Sequence, residues 1–279
     1  MSDIILNIKG ITKTFARKIK SGNGHDGIEI NTVLDNFCLS VEKGKVTALI
    51  GGNGSGKTTL FNIITGLLPA NSGNIQFING KINSLNKKAP DKIARLGIGR
   101  LFQEAHIFPE LSILDNMLLA DNSMYGEDPL ISVFAHSKIK MVEKTRMEKA
   151  EKIFGELFGD DKILQDRFLL NLLEPARNLS YGQQRLLALS RLFMSQNNKL
   201  LLLDEPASGV SPAVLDRMTF IIRKVVEKGT TIFLIEHNMR FMAETSDTCA
   251  FIHSGKVELL GNPADVLRAE LVKNQYLGI

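Results

Sequence analysis

Gly51-Gly52-Asn53-Gly54-Ser55-Gly56-Lys57-Thr58 stands between a short apolar run at residues 45–50 and a helical pattern over residues 57–66. The octapeptide fits the spacing GxxxxGK[ST] in full, in the strand-to-helix setting where that spacing has a physical use. Its glycines let the backbone curl until successive N–H groups converge on phosphate oxygens. Gly56-Lys57 opens the helix, whose positive dipole end then faces the anion. Lys57 is placed to reach terminal phosphates, and the Thr58 hydroxyl to ligate Mg²⁺. Gly51, Gly52, Asn53, Gly54, Ser55, Gly56, Lys57, Thr58 and Thr59 therefore form the candidate phosphate-binding segment. A glycine-rich hairpin turn is the structural alternative, but a turn has no need of Lys-Thr after its last glycine.

A second informative stretch lies far downstream. Leu200-Leu201-Leu202-Leu203 reads as a buried parallel strand and ends in Asp204-Glu205. Beside a phosphate loop, Asp204 is the residue to orient a magnesium shell, and Glu205 the one to act as general base on water. Taken alone, the pair also reads as an acidic N-cap for the next helix.

Around these two strands the chain is organised in three stretches. The first is β-rich, with strands expected at residues 4–9, 33–41, 45–50 and 74–78, the last ended by Asn79-Gly80. The glycine-rich segment Ser21 to Gly27 reads as an exposed loop. From about residue 113 to 195 the apolar spacing becomes helical. Strand and helix then alternate: strand 200–203, helix 212–227, strand 230–235, helix 238–245, followed by a hairpin of 249–253 and 256–260 turning at Ser254-Gly255. Short helices from Ala264 close the chain. No internal repeat is present in the sequence.

Composition sets outer limits. The 279 residues, 44% apolar and 23% charged, describe an ordinary globular chain of one large domain or a core with a subdomain, which excludes disorder, collagen and a disulfide scaffold. Cys38 and Cys249 stand in no metal-ligand spacing and suit a reducing compartment. With 34 basic against 30 acidic residues, the pI near 9 is a weak signal. The densest basic stretch, residues 138–152, mixes six Lys or Arg with three Glu and reads as a solvated helical face. No aromatics are interleaved there for base stacking, so no nucleic-acid partner is expected. No apolar run approaches the ~18 residues of a spanning helix, and MSDIILNIKG lacks a signal-peptide layout. A soluble, cytoplasmic chain is expected.

Leu179-Ser180-Tyr181-Gly182-Gln183-Gln184-Arg185 narrows the field, because it resembles the LSGGQ signature of ABC ATPases. Other motifs of that family follow in order. Gln103 in Arg100-Leu101-Phe102-Gln103-Glu104 resembles the Q-loop glutamine, Ser208-Gly209-Val210-Ser211 the D-loop, and His237 in Ile235-Glu236-His237 the switch histidine. The resemblance covers residues 4–279. It implies an α/β fold: a P-loop NTPase (ABC ATPase) core with an N-terminal antiparallel β subdomain and an inserted α-helical subdomain. Within one domain, residues 4–110 and 196–262 would form the catalytic core, 111–195 the helical subdomain, and 263–279 the C-terminal helices.

The resemblance also assigns roles. ATP and Mg²⁺ are the cofactors; Glu205, His237 and Gln103 are catalytic, and Thr58, Gln103 and Asp204 surround the metal. Ser180, Gly182 and Gln183 belong to a helix-end anion site that meets the γ-phosphate held by a facing subunit. Phe15 is the candidate to stack on adenine, with a strand-end core residue as its structural alternative. A transmembrane permease, a second ATPase subunit (identical or different) and an extracytoplasmic solute-binding protein are the implied partners, at the cytoplasmic face of the inner or plasma membrane.

Three departures stand out. Gly52 replaces a common proline, Tyr181 a glycine of the signature, and Ser211 the usual D-loop aspartate. None touches Lys57, Gln103, Glu205 or His237, so turnover is expected rather than a nucleotide-binding regulator. The segments at 99–103, 181–185 and 205–212 resemble the ATP-binding subunits of branched-chain amino-acid importers. So do the insertion from Asp121 to Lys149 and the ending Gln275-Tyr276-Leu277-Gly278. Urea-type importers and the lipopolysaccharide-export ATPase are similar in these segments. Non-transport relatives fit less well: translation-type members carry two such domains in one chain, and Fe–S assembly scaffolds lack this ending.

Overall fold

The computed structural model describes residues 3–20, 26–104, 106–120, 136–158, 161–195 and 197–277. They fall into two compact units. The first comprises residues 1–103, 199–208 and 222–279, the second residues 104–198 and 209–221.

The first unit is built on two sheets. One is antiparallel, of strands β1 (Ile4–Lys20), β2 (Asp26–Glu42), β4 (Ser72–Asn79) and β5 (Lys81–Ser84), in the order β2-β1-β4-β5. The other contains β3 (Val46–Ile50), β6 (Ile98–Leu101), β7 (Leu200–Asp204), β8 (Thr231–Ile235), β9 (Thr248–His253) and β10 (Lys256–Gly261), in the order β10-β9-β3-β8-β7-β6. From β9 to β6 all neighbours run parallel, and only β10 pairs antiparallel. Every residue of β3, β7 and β8 is buried, as continuous apolar runs in a covered parallel sheet require.

Period-two alternation divides the core between the two faces of that sheet. Leu49, Ala250 and Ile252 pack with Phe37, Phe77 and helix α1 (Lys57–Ile64). Their strand neighbours Ala48, Ile50, Cys249 and Phe251 pack on the other side with Met242, Val266 and Val272. Those last three come from α8 (Met239–Thr245), α9 (Pro263–Arg268) and α10 (Glu270–Val272). A single π turn, Lys273–Leu277, follows.

The second unit is helical: α3 (Ile113–Leu118), α4 (His136–Phe158), α5 (Lys162–Leu169), α6 (Tyr181–Arg191) and the first part of α7 (Pro212–Glu227). Phe154, Phe158 and Phe168 stack at its centre with ring centroids 4.8–5.8 Å apart. The Arg217 guanidinium lies over Phe158 and donates to the Leu157 carbonyl. The buried Asn116 side chain ties down the preceding loop, accepting from Phe108 N and donating to the carbonyls of Phe108 and Ser112.

Several elements differ from the sequence reading. β1 and β2 are each 17 residues long, because they pair with each other from Ile4↔Glu42 to Lys20↔Asp26, well past the apolar alternation that marked 4–9 and 33–41. Of the loop expected at 21–27, residues 21–25 lie outside the described residues, while Asp26 and Gly27 belong to β2. β5, α2 (Pro90–Arg95) and β6 are too short, at four to six residues, to show a period. Of the insertion from Asp121 to Lys149, residues 121–135 lie outside the described residues and the remainder falls in α4.

Candidate functional site

Parallel strands deliver their C-terminal ends to one edge, and the candidate residues follow four adjacent strands there. The glycine-rich loop follows β3, His237 follows β8, Asp204 ends β7 with Glu205 just after it, and Gln103 follows β6. The loop requires glycine at Gly56, which has φ 102° and where a Cβ would stand 2.7 Å from Leu34 Cδ2 and 2.8 Å from the Val33 carbonyl. The Lys57 ammonium is drawn back into the loop, donating to the carbonyls of Gly51 at 2.7 Å and Gly52 at 2.9 Å. Burial lowers its pKa from the ordinary lysine value, and the Glu205 and Asp204 carboxylates oppose that shift. Asn53 to Thr59, together with Asn31, Val33, Glu205 and His237, line a hollow of about 310 Å³. That is the lower end of small-molecule sites.

Glu205 has φ 49°, left-handed backbone that costs a non-glycine residue of order 1–3 kcal/mol and is typical of functional positions. Its amide donates to the Ile235 carbonyl at 2.9 Å, which fixes the turn against β8. Its carboxylate is held from both sides: His237 Nε2 stands 2.8 Å from Oε1, and Gln103 Nε2 donates to Oε2 at 2.9 Å. The structure thus joins Glu205, His237 and Gln103 in one constellation beside the loop.

Asp204 sits one residue back, on a buried ion pair. Arg100 donates to Asp204 Oδ2 at 2.8 Å, with side-chain exposures of 5% and 1%. The same guanidinium donates to Asn62 and Thr65 of the α1 end and lies over the Phe61 and Phe102 rings. Burial raises the Asp204 pKa above the ordinary carboxylate value, with Arg100 opposing. Asp204 Oδ1, by contrast, is buried with no hydrogen-bond partner among the described residues, as is the Ser55 hydroxyl. A buried oxygen without a donor, beside a phosphate loop, fits the outer shell of a hydrated divalent ion. Of the other two residues expected at the metal, Thr58 is exposed at the loop and Gln103 is hydrogen-bonded to Glu205.

Sequence reasoning missed Arg100 as a partner of Asp204, and it missed Glu236. Glu236 is buried; its Oε1 accepts from the amides of His237 at 2.7 Å and Asn238 at 2.9 Å, and Oε2 from Ala207 at 3.1 Å. One carboxylate therefore fastens the turn after β8 to the turn after β7. The signal was available: a carboxylate directly after the apolar run Ile232–Ile235 is too expensive to bury without dedicated donors.

Phe15 is exposed, with Lys13 Nζ 5.0 Å from its ring centre. It is not among the residues lining the hollow, although its cross-strand partner Asn31 is.

Ser180, Gly182 and Gln183 belong to the second unit, where they start α6. Ser180 Oγ accepts from Gln183 N at 3.4 Å, and Gln183 Oε1 accepts from Ser180 N at 2.9 Å, a reciprocal capping box. A Cβ at Gly182 would stand 2.9 Å from Val214 Cγ2, so the position is closed to side chains. Tyr181, the departure from the signature, has a local role: its hydroxyl accepts from Arg185 Nη2 at 2.8 Å, one turn along.

The sequence pattern of the ABC transporter family matches residues 34–208. The chain is 31% identical, over 100% of its length and 99% of the relative's, to the high-affinity branched-chain amino acid transport ATP-binding protein BraF of Pseudomonas aeruginosa. It is 28% identical to the corresponding LivG protein of Salmonella typhimurium, over 88% of this chain and 91% of that one. Among solved structures it resembles a nucleotide-free ATP-binding cassette of an ABC transporter (TM-score 0.76, 30% identity, 99% of this chain and 100% of the other). An ATP-binding cassette of an ABC transporter in its ADP conformation is similar at TM-score 0.75, 31% identity and 99% of both chains. By the family pattern and these relatives, the chain belongs to the ABC transporter family as an ATP-binding, ATP-hydrolysing subunit.

Proposed function

We propose that this chain energises import of branched-chain amino acids, or a similar small polar solute, by binding and hydrolysing MgATP on a separate membrane permease. The observation that carries the hydrolytic reading is the Glu205 carboxylate, held between His237 and Gln103 at 2.8 and 2.9 Å beside the phosphate loop. The substrate class rests on likeness to the branched-chain amino acid transport proteins.

The amides of residues 51–59 and Lys57 hold the triphosphate. For this Lys57 leaves the Gly51 and Gly52 carbonyls, which it engages here, for phosphate oxygens. Asp204, through its free Oδ1, together with Thr58 and Gln103, would hold Mg²⁺, which would supply neutralisation of phosphate charge when bound. Among the described residues no three His, Cys, Asp or Glu side chains gather into a metal cage. Glu205 accepts the proton of the attacking water, and His237 and Gln103 keep its carboxylate aimed. Ser180, Gly182 and Gln183 complete the site on a second ATPase subunit, identical or different, and closure of that dimer on ATP drives the permease. Residues 4–279 act as a single ATPase domain at the cytoplasmic membrane face, with an extracytoplasmic solute-binding protein delivering cargo. No helix among the described residues is long and apolar enough to cross a membrane, which fits a subunit that docks on one.

Glu205→Gln is the test. The variant is expected to bind ATP like the parent chain while turnover falls roughly 10²–10⁴-fold, the usual contribution of a positioned base. Unchanged turnover in a phosphate-release assay overturns the assignment.

A further inference from the structure

His237 makes a second hydrogen bond that the hydrolytic reading does not use. Its Nδ1 lies 2.9 Å from the hydroxyl of Tyr276, 39 residues further along the chain. Tyr276 sits in the π turn Lys273–Leu277, a rare local geometry that recurs at functional positions. Its partly buried ring is tilted against both His237 and Phe251, with centroids 6.1 and 6.2 Å away, and packs on the cluster of Ile50, Met242 and Val272.

For a neutral imidazole, the bond to Glu205 sets the direction of the bond to Tyr276. A neutral imidazole has one N–H, and the Glu205 carboxylate only accepts, so the proton must be on Nε2. Nδ1 is then a bare lone pair, which only a donor can satisfy. The Tyr276 hydroxyl is that donor. Burial raises its pKa above the ordinary phenol value, and the Glu236 and Glu205 charges add to the shift, so it keeps its proton at neutral pH.

We propose that Tyr276 is a positioning residue for ATP hydrolysis, its hydroxyl donating to His237 Nδ1 and so holding the imidazole as the Nε2–H tautomer aimed at Glu205. The relay runs Tyr276 to His237 to Glu205, and it wires the end of the chain to the base. Partners of this kind matter because the wrong tautomer presents a lone pair where an N–H is needed. The proposal rests on the reading of Glu205 and His237 as the hydrolytic pair.

Tyr276→Phe keeps the packed ring and deletes only the hydroxyl. Its turnover is expected to fall about ten- to a hundredfold, as when an outer partner of a working histidine is removed, with KM for ATP and the thermal midpoint retained. In the intact chain, ¹⁵N-histidine NMR should show His237 as the Nε2–H form, assigned by its loss in His237→Gln. In Tyr276→Phe that resonance pair should move toward a mixture of tautomers. An Nδ1–H form or an imidazolium in the parent chain overturns the proposal, as does Tyr276→Phe turnover within about twofold of the parent. If His237→Gln itself turns over normally, it is the hydrolytic reading of His237 that fails. If His237→Gln is slow and Tyr276→Phe is not, only the role of Tyr276 fails.

Discussion

At the residue scale, the site depends on charged groups that burial makes expensive. Lys57 is held by two loop carbonyls, a poor exchange for water that becomes a good one when phosphate arrives. Lys57→Ala is therefore expected to abolish ATP binding, measured by equilibrium binding of a fluorescent analogue, while thermal unfolding changes little. Arg100 behaves in the opposite way. Removing it leaves the Asp204 carboxylate buried and uncompensated, next to Asn62 and Thr65 acceptors that lose their donor. Arg100→Met should cost about 3–5 kcal/mol in urea unfolding, the range for one partner of a buried pair. Loss of turnover without loss of stability would show that Arg100 acts on the chemistry rather than the fold. The glycine-rich loop that opens α1 was legible because its residue spacing itself marks a strand-to-helix turn. The role of Arg100 was not, since its partner Asp204 lies on another strand and no local pattern announces a long-range pair; Glu236, directly after an apolar run, marks a buried carboxylate but not its donor Ala207 in a distant turn.

At the element scale, the clearest reading came where pattern and packing agree. The expected strands at 200–203 and 230–235 carry the apolar runs Leu200–Leu203 and Ile232–Ile235 and are observed as β7 and β8, each buried at every residue. β1 and β2 extended far past their apolar alternation, because cross-strand pairing carries a ribbon that hydropathy does not mark. Helix α6 shows how one feature serves two readings: the Ser180–Gln183 capping box holds the helix start whether or not phosphate is present. Ser180→Ala should therefore lower stability by about 1 kcal/mol, a cap's usual worth, seen as a small drop in unfolding midpoint. β9 supplies a pH test. Cys249 is buried on it, and burial pushes its thiol up to about 12, whereas Cys38 is exposed. A raised folded pKa adds stability that is complete below the ordinary thiol value and is lost as pH rises through about 12. At neutral pH Cys249 is accordingly an inert thiol. Iodoacetamide should modify Cys38 alone in the folded chain, with Cys249 reacting only after unfolding, as peptide mass mapping can read.

At the scale of the whole molecule, the residues proposed for the chemistry fall in two different units. Lys57, Asp204, Glu205 and His237 belong to the first, and Ser180, Gly182 and Gln183 to the second. If a working site takes its phosphate loop and base from one chain and its signature helix from a partner, damage to the two parts must be separable. Lys57→Ala removes phosphate contact but leaves an intact signature. Ser180→Arg places a bulky cation at an exposed helix start, disabling the signature while Lys57, Glu205 and His237 remain. Each variant alone makes dimers in which both sites are broken. A mixed dimer has one site with both lesions and one with none, because its sound loop faces its sound signature. Mixing the two inactive proteins should therefore restore a fraction of parental ATP turnover, rising with protein concentration as dimers form. Two chains that each carried a complete site would show no such rescue. Turnover that stays at the level of the separate variants, while sedimentation with ATP shows mixed dimers forming, rules out the shared site and leaves each chain to hydrolyse ATP on its own residues.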